Sequence, residues 1–277
     1  MVFVSETITS RNNPTVKWAA SLGTKKGRDE ERHFIAEGEK LTLEALSSGM
    51  PVSHIFIEEN KYPDFILALK SYSDNELYKS TQVYKLSEGA FSKISTEKSP
   101  QGVISAIKYL DFFRDIDIIY KEDFFLANDE RAIILCSVRD PGNLGAVIRS
   151  SVAFGVDHII LTDDCASPYN PKAVRAAMGS LFRVKLTRVG DIASLIRAAR
   201  MLGREVYAAE LTDNATSLAQ IDLSARDLVI IGNEGHGIPS DISALASASV
   251  YIPISKKTES LNAAVAAALF MWEQSKK

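Results

Sequence analysis

The chain has 277 residues, 46% apolar and 24% charged, and a net charge of −3. This is the composition of an ordinary globular protein, long enough for one large or two modest domains. It excludes a uniformly cationic glove for nucleic acid, and no apolar run approaches the ~18 residues needed to cross a bilayer.

Two cysteines, Cys136 and Cys165, and four scattered histidines form neither a disulfide framework nor a metal-ligand spacing, so no metal is expected. The start, MVFVSETITSR, lacks the basic head and sustained apolar stretch of a secretory signal. The expected compartment is the cytoplasm.

Residues 1–108 mix helix and strand signals and read as a small α/β domain. EGEKLTLEALSSG places Leu41, Leu43, Ala45 and Leu46 in a helical pattern that Gly49 ends. VSHIFIEE, QVYKLS and QGVISAIKYL read as strands. Residues 109–131 mix aromatic and acidic residues without period and read as a connector or insertion.

Residues 132–277 alternate regularly. AIILCSV, HIILTDD, VKLTRV, EVYAAEL, LVIIG and SVYIPI read as strands. NLGAVIRSSVAFG, NPKAVRAAMGSLFR and IASLIRAARMLG read as helices between them, and SLNAAVAAALFMWEQ as a closing helix. Alternation of this kind predicts a mostly parallel sheet covered on both faces. The last helix is apolar all round from Ala263 to Trp272, which predicts burial on every side, in the core or at a subunit interface.

In open parallel sheets, ligands bind beyond the carboxyl ends of the strands. Three unusual loops lie there. The first, DPGN, leads into a helix that Asn143 can cap. In that helix Arg149 follows the small residues Gly145 and Ala146, which would let another molecule approach a guanidinium suited to phosphate. The second, GNEGHG, flanks Glu234 with glycines but matches neither the dinucleotide fingerprint nor a Walker A loop. That argues against a nucleotide-dependent oxidoreductase. The third runs from Tyr251 to the last helix, which Ser260 or Asn262 caps.

Charge is uneven along the chain. Thr7–Arg28 carries Arg11, Lys17, Lys25, Lys26 and Arg28 without an acid, and Ala166–Gly190 carries Lys172, Arg175, Arg183, Lys185 and Arg188 without one. Two such stretches in a mildly acidic protein point to a polyanionic partner.

The segments DPGNLGAVIRSSVAFG, SPYNPKAVRAAMGSLFRV, GNEGHGIP and IPISKKTESLNAAVAAA, in this order, resemble the SpoU/TrmH family of RNA ribose 2′-O-methyltransferases, within the SPOUT superfamily. The first half resembles that family's L30e-like substrate-binding extension. The resemblance implies an α/β methyltransferase domain with a C-terminal trefoil knot, S-adenosylmethionine as methyl donor, and a homodimer formed through the knot. It implies Asn143, Arg149, Glu234, Ser260 and Asn262 as the polar active-site set, and donor contacts at Gly232, Ile252 and Leu261.

RNA would be positioned by Arg11, Lys25, Lys26, Arg28, Lys172 and Arg175. Large-subunit ribosomal RNA is the expected substrate. Transfer RNA, or a non-catalytic role in RNA binding or ribosome assembly, is the alternative. The stretch SKKT carries two lysines where relatives often have small residues.

Overall fold

The computed structural model describes residues 1–110, 114–116 and 130–276. The connector expected at 109–131 therefore lies mostly outside the described residues. The chain forms two compact units, Met1–Leu110 with Tyr169–Phe182, and Asp111–Pro168 with Arg183–Lys277.

The first unit contains β1 (Val2–Ile8), α1 (Pro14–Ser21), α2 (Lys25–Glu31), β2 (His33–Glu37) and α3 (Glu39–Ser47). It continues with β3 (Val52–Glu58), α4 (Tyr62–Ser73), β4 (Gln82–Leu86), α5 (Glu88–Ile94) and β5 (Val103–Lys108). Its sheet runs β1-β4-β3-β5-β2. β4 is parallel to β1 and β3, while β5 is antiparallel to β3 and β2. Val16, Ala19, Phe91 and Ile94 pack on Ile35, Phe56 and Ile104, so α1 and α5 cover one face of the sheet. The strand β1 carries no clear period-2 pattern: its apolar residues Val2, Phe3 and Val4 are consecutive, and none of its residues is buried.

In α1, Pro14 occupies the first turn and the Asn13 side chain accepts from Thr15 N at 2.9 Å. A Cβ on Gly27 would collide with Ser21 O. Glycine therefore lets α2 abut the end of α1, where Arg28 donates to Leu22 O and Gly23 O, both at 3.1 Å.

The second unit contains β6 (Arg114–Ile116), β7 (Ala132–Leu135), α6 (Pro141–Ala153) and β8 (His158–Thr162). The next helix, α7 (Pro171–Ala177), falls in the first unit. The second unit resumes with β9 (Lys185–Val189), α8 (Ile192–Met201), β10 (Val206–Ala209), β11 (Thr216–Ser217) and β12 (Leu228–Ile231). It ends with α9 (Ser240–Ser243), β13 (Ala248–Tyr251) and α10 (Ala263–Ser275).

Its sheet runs β11-β13-β10-β12-β7-β8-β9-β6, with every described pairing parallel. The mostly parallel α/β architecture expected from the alternation is present. All four residues of β7 and of β12 are buried, as strands covered on both faces must be. Ile192, Leu195, Ile196 and Ala199 of α8 join that core, each large side chain contributing ~1.5–3 kcal/mol by burial.

Helix α10 packs on α6 and β12. Gln274 anchors its end, with Nε2 2.8 Å from Asp227 O. Of the two settings that an all-apolar helix allows, core or subunit interface, the single chain does not supply full burial: Val265 and Trp272, seven residues apart, are each 48% exposed. A helix apolar all round has no polar stripe from which sequence could tell the outward face.

Candidate active site

The order of strands positions the site. From β7 the chain adds β8 and β9 on one side, then crosses to build β10, β12 and β13 on the other. The carboxyl ends of β7 and β12 are adjacent, with Leu135 opposite Ile231. The DPGN and GNEGHG loops therefore start side by side, although Asn143 and Glu234 are 91 residues apart.

The first loop leaves β7 through Ser137, whose φ of 60° is left-handed and unusual for a residue with a side chain. Ser137 N donates to Thr162 Oγ1 at 2.9 Å. Thr162 Oγ1 in turn donates to Asp164 at 2.7 Å, and Arg139 pairs with the other Asp164 oxygen at 2.8 Å. Burial opposes charge on Asp164, but hydrogen bonds from Arg139, Ser137 and Thr162 outweigh it and hold its pKa at about 2.

The helix is capped by Asp140, whose Oδ1 accepts from Asn143 N at 2.9 Å. The sequence reading assigned that cap to Asn143. The cap lies three residues earlier, which frees the Asn143 side chain for other partners.

Asn233 organises the second loop. Its backbone N–H and C=O pair with Gly237 O and N at 3.1 and 2.9 Å. Its Oδ1 accepts from Gly235 N at 2.8 Å and His236 N at 3.2 Å, and its Nδ2 donates to Ser137 O at 2.8 Å. One side chain thus closes the turn and ties it to the first loop. Gly232 enters the turn without room for any side chain: a Cβ there would lie 2.5 Å from the carbonyl carbon of Gly237 and 2.7 Å from Ile238 N. Glu234 and His236 stand exposed at the tip.

In the third loop Thr258 donates to Ser260 O at 3.2 Å. The cap that sequence left open between Ser260 and Asn262 is Asn262, whose Oδ1 accepts from Ala264 N at 2.9 Å and Val265 N at 3.3 Å. Its Nδ2 donates to Asn143 Oδ1 at 3.0 Å, and Asn143 Nδ2 donates to a Glu234 carboxylate oxygen. The direction of this relay is fixed. Capping commits the Asn262 oxygen to backbone N–H groups, so its amine must face Asn143. Reversing the Asn143 amide would oppose two amines and set its oxygen against a carboxylate.

Asn143, Glu234 and Asn262 are thus joined in one chain of hydrogen bonds. Ser260 is exposed two residues before Asn262. Arg149 is also exposed, and no hydrogen bond or ion pair holds it among the described residues. It lies on the i, i+3, i+6 row of α6 that holds Asn143 and Ala146, about 9 Å along the axis from Asn143. Long helical side chains lean towards the N-terminus, which in α6 is the end that carries Asn143. Gly145, which the sequence reading placed beside the open approach to Arg149, is buried, whereas Ala146 is half-buried.

Gly232, Ile252 and Leu261 are all half-buried. Strand order adds a loop that the sequence reading missed. β10 lies between β13 and β12, so the segment after Ala209 emerges between the second and third loops. It carries Leu211, 76% exposed. Asp140 and Asn233 were missed as well. Asparagine before a glycine-flanked acid is an Asx-turn former, and that signal could have found Asn233.

Among the expected RNA contacts, Arg11, Lys25, Lys26, Lys172 and Arg175 are exposed, and Arg175 pairs with Glu97. Arg28 is 2% exposed and spends its guanidinium on carbonyls at the end of α1. Its burial removes it from any phosphate-binding surface. Among the described residues no group of three or more His, Cys, Asp or Glu could hold a metal ion.

The sequence model of the SpoU rRNA Methylase family matches residues 130–272, and that of an MRM3-like substrate binding domain matches residues 13–105. The chain belongs to the SpoU rRNA methylase family. It is 32% identical over 266 residues to the 23S rRNA (guanosine(2553)-2′-O)-methyltransferase RlmP of Bacillus subtilis (strain 168), covering 96% of this chain and 97% of that protein. It is 26% identical to the 23S rRNA (uridine(2479)-2′-O)-methyltransferase of Streptomyces viridochromogenes, covering 96% of this chain and 90% of the relative. The crystal structure of an AdoMet-bound rRNA methyltransferase from Sinorhizobium meliloti superposes with a TM-score of 0.80 at 30% identity, covering 98% of this chain and 97% of that one.

Proposed function

We propose that the chain is an S-adenosylmethionine-dependent RNA 2′-O-ribose methyltransferase acting on large-subunit ribosomal RNA. The observation that carries this reading is the hydrogen-bonded chain Asn262–Asn143–Glu234, which draws three distant loops together in a member of the SpoU family.

The residues at the strand ends fit the donor. The Gly232 turn brings bare backbone together, and half-buried Ile252 and Leu261 offer apolar contact for an adenine. When bound, S-adenosylmethionine supplies an activated methyl group on a sulfonium, and these residues bind it largely through backbone. Asn143, held from both sides, and Glu234 orient the ribose that Arg149 faces. Ser260 and Asn262 shape the same end of the site.

Arg149 supplies a fixed positive charge that grips the neighbouring phosphate and stabilises the alkoxide developing on the ribose 2′-oxygen. It is not the base, because guanidinium does not deprotonate in proteins. The hydroxyl proton leaves to water or to a phosphate oxygen. The test is methyl transfer from tritiated S-adenosylmethionine to ribosomal RNA. Label recovered in a 2′-O-methyl nucleoside supports the reading, and its absence alongside normal donor binding supports a non-catalytic RNA-binding role.

Asn233→Ala removes the three side-chain hydrogen bonds that place Glu234 against the first loop. Misplacement on this scale lowers turnover by about 10- to 100-fold, with donor KM changed much less. Asn233→Asp keeps the acceptor but loses the donation to Ser137 O, so it restores only part of the loss. Steady-state kinetics of both variants read this directly.

The protein acts in the cytoplasm as a homodimer formed through α10, and the segment leading to that helix threads the family's trefoil knot. The exposed Val265 and Trp272 support the dimer, since an apolar face on an otherwise buried helix calls for a cover. Trp272→Glu is expected to convert the dimer to monomer in light scattering. A native monomer would refute the assembly.

A further inference from the structure

We propose that the first unit carries a stacking platform for an unpaired RNA base, formed by Trp18, His33, His54 and Tyr84. This rests on the reading above as an RNA methyltransferase and extends it. It names what the unit recognises: a base splayed out of a loop, not a duplex.

The four rings are contiguous. Trp18, on α1, lies over the sheet with its ring centroid 4.4 Å from His54 and 5.4 Å, edge-on, from His33. His54 is parallel to Tyr84 within 11° at 6.1 Å and to Phe56 within 3° at 6.1 Å. Phe56 is fully buried and forms the floor, whereas the other four rings are only half-buried.

Their polar edges are tied. Trp18 Nε1 donates to Glu31 at 2.9 Å, His33 Nδ1 lies 2.6 Å from Glu31 O, and His54 Nδ1 lies 2.9 Å from Ser53 Oγ. Fixed edges hold the ring planes in place. His54 packs against Trp18 and Tyr84, and the half-buried rim of this cluster is aromatic throughout. Burial, with the neighbouring His33, lowers the His54 pKa to about 4, so that ring is uncharged at neutral pH and contributes through stacking.

The surroundings suit a nucleic acid. Lys108 lies opposite His33 in the β2–β5 ladder, hence on the same face. Lys17 adjoins Trp18 on α1, and Arg11 stands in the turn before it; all three are exposed. These exposed cations supply phosphate partners in the same part of the unit. The four rings fall within residues 13–105, matched by the substrate binding domain. Duplex RNA hides its base faces within the stack, so only unpaired nucleotides can use aromatic rings this way.

The test uses the full chain and a labelled ten-nucleotide single-stranded RNA, its abasic counterpart with the same ribose-phosphate backbone, and a duplex of the same length. The base-bearing single strand is expected to quench tryptophan emission, and this quench disappears in Trp18→Phe although anisotropy shows that binding persists. Trp18→Ala and His54→Ala weaken binding of the single strand about tenfold or more, the scale of one lost stacking contact. Both leave binding of the abasic strand and the salt dependence of binding unchanged, and Trp18→Phe keeps the native melting temperature.

Equal affinity for the base-bearing and abasic strands, tighter binding of the duplex, or native affinity in a folded Trp18→Ala protein would each overturn the platform. Methyl transfer to ribosomal RNA by the native chain separates the two readings. If transfer occurs while Trp18→Ala binds like the native protein, the platform alone fails. If neither transfer nor RNA binding occurs, the underlying reading fails.

Discussion

Arg149→Ala is expected to bind S-adenosylmethionine with near-native affinity and to lose methyl transfer by ~100-fold or more, the scale of one lost electrostatic donor at a developing oxyanion. The donor loops should be indifferent to this change, because Arg149 makes no hydrogen bond or ion pair among the described residues and is exposed on α6. Arg149→Lys is expected to recover little: an ammonium is a point charge without the planar fork that grips two oxygens at once. The pair to measure is donor affinity by calorimetry and single-turnover methyl transfer. Near-native turnover in Arg149→Ala would reduce this residue to an ordinary surface arginine and move the charge stabilisation elsewhere.

Gly232→Ala is expected to fail at the other step, donor binding. A single methyl at this position would lie 2.5 Å from the carbonyl carbon of Gly237 and 2.7 Å from Ile238 N. Backbone cannot rotate out of the way as a flexible side chain would, so the turn must shift. Overpacking of this kind costs ~1–3 kcal/mol, which at 1.4 kcal/mol per tenfold is roughly 5- to 150-fold in affinity. The shift would also break the Asn233 pairing with Gly237 and move Glu234, so turnover at saturating donor falls too. Calorimetry with Gly232→Ala checks this: native affinity would mean that the donor does not use this turn. Loss at both steps here, against loss at one step in Arg149→Ala, separates the donor pocket from the charge that acts on the ribose.

The regular alternation of the second half made its parallel sheet readable, because buried parallel strands such as Ala132–Leu135 and Leu228–Ile231 are short unbroken apolar runs. Order within the sheet was not readable, since it depends on pairings between distant strands. The loop after Ala209 takes its place between the second and third loops only through that order.

The helix cap at Asp140 was read as Asn143, because both residues are good caps and only the local turn decides between them. Burial of Arg28 was equally invisible. Its setting depends on Gly27 letting two short helices meet, a tertiary close approach that a basic run in the sequence cannot reveal. Asn143, Glu234 and Asn262 could be singled out by resemblance, but their mutual hydrogen bonds follow from the adjacency of β7 and β12 and from the return of the chain after β13.

In the proposed function these three loops form one site for methylating a ribose hydroxyl in large-subunit ribosomal RNA. This is tested most directly by mapping 2′-O-methyl groups across 23S rRNA from cells lacking the gene, and from the same cells carrying the native or the Asn143→Ala gene. One mark is expected to vanish on deletion, to return with the native gene, and to stay missing or strongly reduced with Asn143→Ala. An unchanged set of marks after deletion, or full restoration by Asn143→Ala, would contradict that function.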